Sequence, residues 1–238
     1  MRNNTVDDKV ILITGTSRGL GRYLAEYYCK KGFKVIGCSR SPSQYSDSNY
    51  KHFEGDISEM GFIREIFKFI KSEFGRLDVL VNNAVANPPF VNSVLLAADS
   101  VEKALKINVI APMMFCQEAI KLMKKQVAGR IINIGSMVSK HEELGGAIYS
   151  TCKSAINTYS RVIAKEVSKT GITVNVVAVS ALETELSEKL DHDFLMNVLK
   201  RNAIDKMGEM KDVSNLIDFL IRKESSAITS QILFLGGV

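Results

Sequence analysis

Val10-Ile-Leu-Ile13 is an unbroken apolar run of strand length, and it passes directly into the glycine-rich turn Thr14-Gly-Thr-Ser-Arg-Gly-Leu-Gly21. A strand that is apolar at every position offers no face to water. It must therefore lie in a sheet covered on both sides, the usual condition of parallel strands joined by helices. The residues after the turn keep a helical period, with Leu20, Leu24, Tyr27 and Tyr28 toward the sheet, and Gly32 supplies a C-terminal cap. The second strand, Lys34-Val-Ile-Gly-Cys38, then completes a β-α-β unit.

The same alternation continues along the chain. Strands are predicted at Lys51 to Glu54, Leu77 to Val81, Arg130 to Ile134 and Ile172 to Val177, with an edge strand at Gln231 to Leu235. Between them lie a helix carrying Phe62, Ile63, Ile66, Phe67 and Ile70, a long helix from about Ser100 to Gln126, one around Tyr149 to Ser168, and a last one at Val213 to Ile221. The pattern is that of an α/β fold, a doubly wound parallel sheet between two helix layers. With 238 residues, 46% of them hydrophobic, and no repeat or linker, one domain over residues 1–238 is expected.

Composition narrows the function classes. No stretch approaches the roughly 20 apolar residues that span a bilayer. The start, Met1-Arg-Asn-Asn-Thr5, lacks a secretory pattern, so a cytoplasmic protein without membrane contact is expected. The net charge of +5 suits an anionic cofactor or acyl carrier, but the basic residues form no polybasic run, which argues against nucleic acid. Cys29, Cys38, Cys116, Cys152 and the three histidines show no ligand spacing, so no metal site is expected.

A strand, a glycine turn and a helix N-terminus together make a pyrophosphate seat, because exposed backbone N–H groups and the helix dipole favour anions. The glycines here are Gly15, Gly19 and Gly21. Dinucleotide enzymes separate NAD from NADP at the end of the second strand, where an acid binds the ribose hydroxyls or an arginine binds the extra phosphate. This chain has Cys38-Ser-Arg-Ser41 and no acid, so Arg40, with Arg18 from the glycine loop, points to NADP(H), NAD(H) remaining possible; solvated surface arginines are the alternative. Asp56 in Gly55-Asp-Ile-Ser58 is a candidate acceptor for the adenine amino group, with a helix N-cap as the plainer reading. Asn82-Asn83-Ala84 would bring an amide to the carboxyl edge of the sheet, where such folds bind ligands, or simply form a turn.

Reducing a ketone needs a hydride on carbon and a proton on oxygen. Tyr149 and Lys153 are four residues apart, on one face of a helix, where an ammonium can stabilise a phenolate and reach the nicotinamide ribose. Ser136, at the end of the fifth strand, can donate to the substrate oxygen. Asn108 is a polar residue in an apolar helix face, read either as holder of a water that links Lys153 to solvent or as a buried amide bonded to backbone.

These residues together resemble the short-chain dehydrogenase/reductase family over essentially the whole chain. The carriers are Thr14-Gly-Thr-Ser-Arg-Gly-Leu-Gly21, Asp56, Asn82-Asn83-Ala84, Asn108, Ser136, Tyr149 and Lys153. The resemblance implies a Rossmann-type sheet of about seven strands and a catalytic tetrad of Asn108, Ser136, Tyr149 and Lys153. It implies cofactor contacts from Gly15, Ser17, Arg18, Gly19, Leu20, Gly21, Arg40, Asp56, Ile57, Asn83, Ala84, Tyr149, Lys153, Leu182 and Thr184. It also implies a homodimer or homotetramer built through the long helices and the last strand. Length, Lys206-Met-Gly-Glu209 and the C-terminal Ile228 to Gly237 look most like 3-oxoacyl-acyl-carrier-protein reductases and their relatives. The expected activity is NADPH-dependent hydride transfer to a carbonyl, small or carrier-bound: a 3-oxoacyl thioester, a sugar derivative or another metabolite. A non-catalytic NADP-binding sensor or scaffold is the alternative.

Three positions depart from the family pattern. Asn-Asn-Ala-Gly becomes Asn-Asn-Ala-Val85, Pro-Gly after the sixth strand becomes Val179-Ser180, and a glycine after Ile228-Thr229 becomes Ser230. A Cβ at positions chosen for tight turns predicts altered loops around the nicotinamide end. Residues 184–202 are expected to form a substrate lid, with Leu186, Leu190, Phe194 and Leu195 as wall residues and Asn87-Pro-Pro-Phe90 as a second wall.

Overall fold

The computed structural model describes residues 9–182 and 192–237. Seven parallel strands form one sheet: β1 (Val10–Thr14), β2 (Lys34–Ser39), β3 (Tyr50–Glu54), β4 (Val79–Asn82), β5 (Gly129–Ser136), β6 (Ile172–Val179) and β7 (Ile232–Phe234), in the order β3-β2-β1-β4-β5-β6-β7. The winding direction reverses between β1 and β4. This switch point leaves a crevice at the carboxyl ends of the strands, where open α/β sheets bind ligands.

The apolar run that opened the sequence is buried on both faces. Val10 and Leu12 pack with the helices α2 (Met60–Glu73), α4 (Ala111–Met123) and α6 (Ala147–Glu166). Ile11 and Ile13 face α1 (Gly19–Lys30) and α8 (Met210–Leu220). The described residues also form α3 (Ala98–Leu105), the short α5 (Val138–His141) and α7 (His192–Leu199). Among the described residues no helix is long and apolar enough to cross a membrane.

Helix α1 ends as its sequence predicts. Gly32 takes φ +83°, its N–H donates to the Cys29 carbonyl, and the Phe33 N–H reaches back to the Tyr28 carbonyl at 3.0 Å. That is a Schellman cap, and the accompanying apolar contact is Phe33 edge-on to Tyr28, 5.1 Å between ring centres.

The long helix predicted from Ser100 to Gln126 is not regular. Lys106–Ile110 forms a π turn between α3 and α4, in which the Ala111 N–H bonds to the Lys106 carbonyl five residues back. The cause lies two residues further on. Pro112 has no N–H for the Asn108 carbonyl, and its ring would collide with that carbonyl in a regular α turn. The wider turn accommodates both, and it contains Asn108.

The structure also sorts the three departures from the family pattern. Ser230 adopts φ +64°, the left-handed conformation that the glycine would take without cost, and its N–H donates to the Val174 carbonyl at 2.8 Å. Val85, Val179 and Ser180 stay at negative φ, so those substitutions bring no such backbone strain. A second strained site, Val127 at φ +53°, is 68% exposed and β-branched. Left-handed backbone costs an L-residue about 1–2 kcal/mol, partly offset by the greater freedom of glycine in the unfolded chain. Val127→Gly is expected to raise the unfolding free energy by about 1 kcal/mol and Ser230→Gly by about 0.5 kcal/mol, read from urea unfolding midpoints.

Candidate active site

The glycine turn after β1 is built for close approach. A Cβ on Gly21 would stand 2.1 Å from the Gly15 carbonyl oxygen, and one on Gly15, at φ +79°, would meet the Ala84 Cα at 2.8 Å. Gly19 differs: at φ +54° it has nothing within 4 Å of where a Cβ would sit. Its open side lies at the first turn of α1, which has no side-chain cap and no acidic residue. N–H donors of a first helical turn beside an open glycine suit a pyrophosphate. Ser17 and the exposed Arg18 precede Gly19 in this turn, while Leu20 is buried against the sheet.

Across the switch point, the end of β1 is clamped to the turn after β4. The Thr14 hydroxyl accepts from the N–H groups of Asn83 and Ala84 at 3.0 and 2.9 Å. The Asn83 amide donates to the carbonyls of Thr14 and Gly15 at 2.8 and 3.3 Å. The Asn83 side chain thus holds the glycine turn in shape rather than standing free above the sheet edge. Asn82 points the other way, into the core, and donates to Asn133 Oδ1 at 2.8 Å.

Asp56 closes a tight turn, accepting from the Ser58 N–H at 2.8 Å. Burial raises its pKa, but the Ser58 hydrogen bonds and the charges of Arg40 and Lys103 outweigh that, so the carboxyl lies below the ordinary range. It caps no helix; α2 begins only at Met60, and Ile57 beside it is buried. Arg40 is exposed at the end of β2, on the same side of the molecule.

Helix α6 carries Tyr149 and Lys153 to the carboxyl end of β5. The Lys153 ammonium stands 5.6 Å from the centre of the Tyr149 ring and donates to the Ile134 carbonyl at 2.8 Å. Burial pushes the Lys153 pKa down to about 8. The Tyr149 phenol moves the other way: burial pushes it up to about 12, although Ser136, as hydrogen-bond partner, opposes the rise. The Ser136 hydroxyl accepts from the Val138 N–H at 3.2 Å, which leaves its proton to donate elsewhere. Tyrosine, lysine and serine therefore converge at one strand end.

Asn108, 3% exposed, spends its side chain on backbone: Oδ1 accepts from the Ala86 N–H at 2.9 Å and Nδ2 donates to the Ala86 carbonyl at 2.8 Å. The side chain is therefore a buried amide bonded to backbone. The residue anchors the loop after Asn83-Ala84, and its own carbonyl is the one that Pro112 cannot bond.

The predicted walls differ in outcome. Phe90 stands edge-on to Tyr149, 6.4 Å between ring centres, and the Val91 N–H bonds to the Gly145 carbonyl, so Phe90 of the second wall flanks the tyrosine. In the predicted lid, Thr184, Leu186 and Leu190 lie outside the described residues, as does the side chain of Phe194. Leu195 is partly buried on α7, and Leu182 bridges to Gly208.

Two features escaped the sequence. Val179, unlike a proline, has an N–H, and β6 extends through it to lie opposite Ser136. The Ser180 hydroxyl accepts from Asn202 Nδ2 at 2.7 Å, and Asn202 Oδ1 meets His141 Nε2 at 3.1 Å, a bridge that a glycine at 180 could not make. The second is a group of polar side chains around His52, next to the glycine turn.

Comparison with known proteins gives one family. The short chain dehydrogenase family matches residues 9–194. The 3-oxoacyl-(acyl-carrier-protein) reductase FabG of Escherichia coli strain K12 is 31% identical over 239 residues, covering 97% of this chain and 97% of its own length. That of Salmonella typhimurium strain LT2 is 31% identical over 237 residues, with the same coverage of both. Carbonyl reductase family member 4 of Xenopus laevis is 31% identical over 236 residues, 96% of this chain and 97% of its own.

The buried lysine makes a stability prediction. Its pKa is 10.5 as a free group and about 8 when folded, so between those values the unfolded chain holds a proton that the folded chain has released. Stability therefore rises with pH from 8 to 10.5, and below pH 8 the full penalty of burying the charge persists, about 3 kcal/mol. Lys153→Met, which removes that charge at the loss of one hydrogen bond, is expected to stabilise the ligand-free protein at pH 7 by about 1–3 kcal/mol. The gap should narrow at pH 10, measured by urea unfolding at both values.

Proposed function

The chain belongs to the short-chain dehydrogenase/reductase family, NAD(P)-dependent oxidoreductases of carbonyl and alcohol groups, and from that premise we propose that it is an NADPH-dependent ketone reductase with Tyr149 as its proton donor. The observation that carries the reading is the desolvated Tyr149–Lys153 pair beside Ser136. When bound, the nicotinamide supplies the hydride.

The chain's own residues do the rest. The Tyr149 hydroxyl gives its proton to the substrate oxygen, and the Ser136 hydroxyl donates to the same oxygen as negative charge develops there. Lys153, one helical turn away, lowers the cost of the phenolate left behind. Asn108 holds the loop that carries Asn83 and Ala84, and so acts through position. The open side of Gly19, with Gly15, Ser17, Leu20 and Gly21, forms the pyrophosphate seat. Asp56 and Ile57 flank the adenine, while Arg18 and Arg40, without an acid at the end of β2, favour the 2′-phosphate of NADP(H). Leu182 belongs to the nicotinamide side of the cofactor, and Thr184 completes the set.

A 3-oxoacyl thioester is the substrate class we favour over a sugar derivative. Phe90, 40% exposed and edge-on to Tyr149, and Val85, 39% exposed in place of a glycine, give the approach to the tyrosine an apolar character. The protein acts as a homodimer or homotetramer. In support, α4 and α6 enclose a shallow apolar cleft on the outer surface, lined by Val109, Met113, Ala155, Thr158 and Tyr159.

Oxidation of NADPH and NADH by the purified protein across a panel of ketones tests the activity. Tyr149→Phe should lower kcat about 10³-fold and Ser136→Ala about 10²-fold, with NADPH binding retained. Turnover that survives Tyr149→Phe refutes the assignment. Arg40→Asp should reduce the NADPH over NADH preference by at least about tenfold. Ala155→Arg should lower the mass measured by light scattering to that of a smaller assembly.

A further inference from the structure

His52 lies on the edge strand β3 directly opposite Gly37 of β2, a position where an apolar β-branched residue would serve packing better. Instead its ring is bonded at both nitrogens. Nε2 stands 3.1 Å from Ser39 Oγ and 3.2 Å from the Ser41 carbonyl oxygen. A carbonyl only accepts, so Nε2 carries the proton, and Nδ1 is the acceptor. Nδ1 faces Tyr50 Oη at 2.9 Å and Thr16 Oγ1 at 3.3 Å. The triangle closes with Tyr50 donating to Thr16 at 2.9 Å, which leaves the Thr16 hydroxyl as the donor to Nδ1.

The space for this meeting is provided by Gly37: a Cβ there would stand 2.4 Å from both Thr16 Oγ1 and Tyr50 Oη. Thr16 belongs to the glycine turn, whose Gly15 and Thr16 N–H groups also bond to the Cys38 carbonyl at 2.7 and 3.3 Å. Ser39 and Ser41 bracket Arg40, and the Ser39 hydroxyl donates to the Ser41 carbonyl at 2.7 Å. One imidazole thus joins the phosphate-binding turn to the two residues that fix the Arg40 backbone.

We propose that His52 is a positioning residue for cofactor selection, which holds the Ser39-Arg40-Ser41 turn in register with the glycine turn so that the Arg40 guanidinium meets a ribose 2′-phosphate. The inference rests on the NADP(H) reading of Arg40. It assigns His52 no contact with the reacting atoms, and it predicts an effect on the adenosine phosphate end alone.

The test uses the full chain and two cofactor fragments, adenosine 2′,5′-bisphosphate and 5′-AMP, titrated by calorimetry. The wild type should prefer the bisphosphate by at least about tenfold, from one arginine–phosphate interaction. His52→Leu should cut that preference to about threefold or less, with 5′-AMP affinity within about twofold of wild type. His52→Gln, whose amide N–H can still reach the Ser41 carbonyl, should restore most of it. Tyr50→Phe, which removes the hydroxyl facing Nδ1, should act in the same direction and stands in if His52→Leu does not fold.

A preference that persists in both His52→Leu and Tyr50→Phe overturns the proposal and leaves the NADP(H) reading intact. Equal weakening of both fragments reduces His52 to general support and also overturns it. A wild type that does not distinguish the fragments removes the NADP(H) reading and the proposal together.

Discussion

Burial acts in opposite directions on two side chains one helical turn apart, and the chemistry of this protein depends on that opposition. The same loss of water that pushes the Tyr149 phenol up to about 12 pushes the Lys153 ammonium down to about 8. A phenol alone is too weak an acid to be useful near neutrality, and a lysine alone is too strong a base. Both are held on α6 against the end of β5, where the lysine loses its charge above about pH 8 while the phenol keeps its proton. The fold supplies the conditions: α6 is buried against β5 and β6, and the Ile134 carbonyl keeps the ammonium beside the phenol.

The second half of the machine is assembled by backbone. At the switch point between β1 and β4, Thr14 and Asn83 exchange hydrogen bonds that fix the glycine turn and the neighbouring loop as one piece. Asn108 adds the next link, binding Ala86 through both ends of its amide from inside a π turn. Val85 sits in the middle of this fixed segment at ordinary φ, which is why a residue with a Cβ is accommodated there. At the other departure, Val179 and Ser180 lengthen β6 and add the Ser180–Asn202–His141 bridge. Both departures lie in segments tied by hydrogen bonds of their own.

What could be read from the sequence was what local geometry determines. The alternation of apolar runs and helical periods fixes the sheet and its two helix layers. The four-residue spacing of Tyr149 and Lys153 requires one helix face, and Gly32 after α1 announces its cap. Illegible features were those made by residues far apart in the chain or by one residue acting on another's backbone. Pro112 was an ordinary helix residue in the sequence, yet it opens the π turn at Asn108. His52 meets Thr16 from 36 residues away and Asn202 meets His141 from 61, contacts that exist only once the crossovers have brought the strands together. Asn83 was correctly located at the sheet edge, but only the structure reveals that its amide is occupied by Thr14 and Gly15.

The most direct test of the coupled tyrosine and lysine is the pH dependence of kcat/KM for ketone reduction, followed from pH 6 to 10. A tyrosine whose phenolate relies on the Lys153 charge should give a rate that is level at low pH and falls about tenfold per unit above about pH 8. A profile that stays level to pH 10 would contradict the account, since the transfer would then not depend on the Lys153 charge.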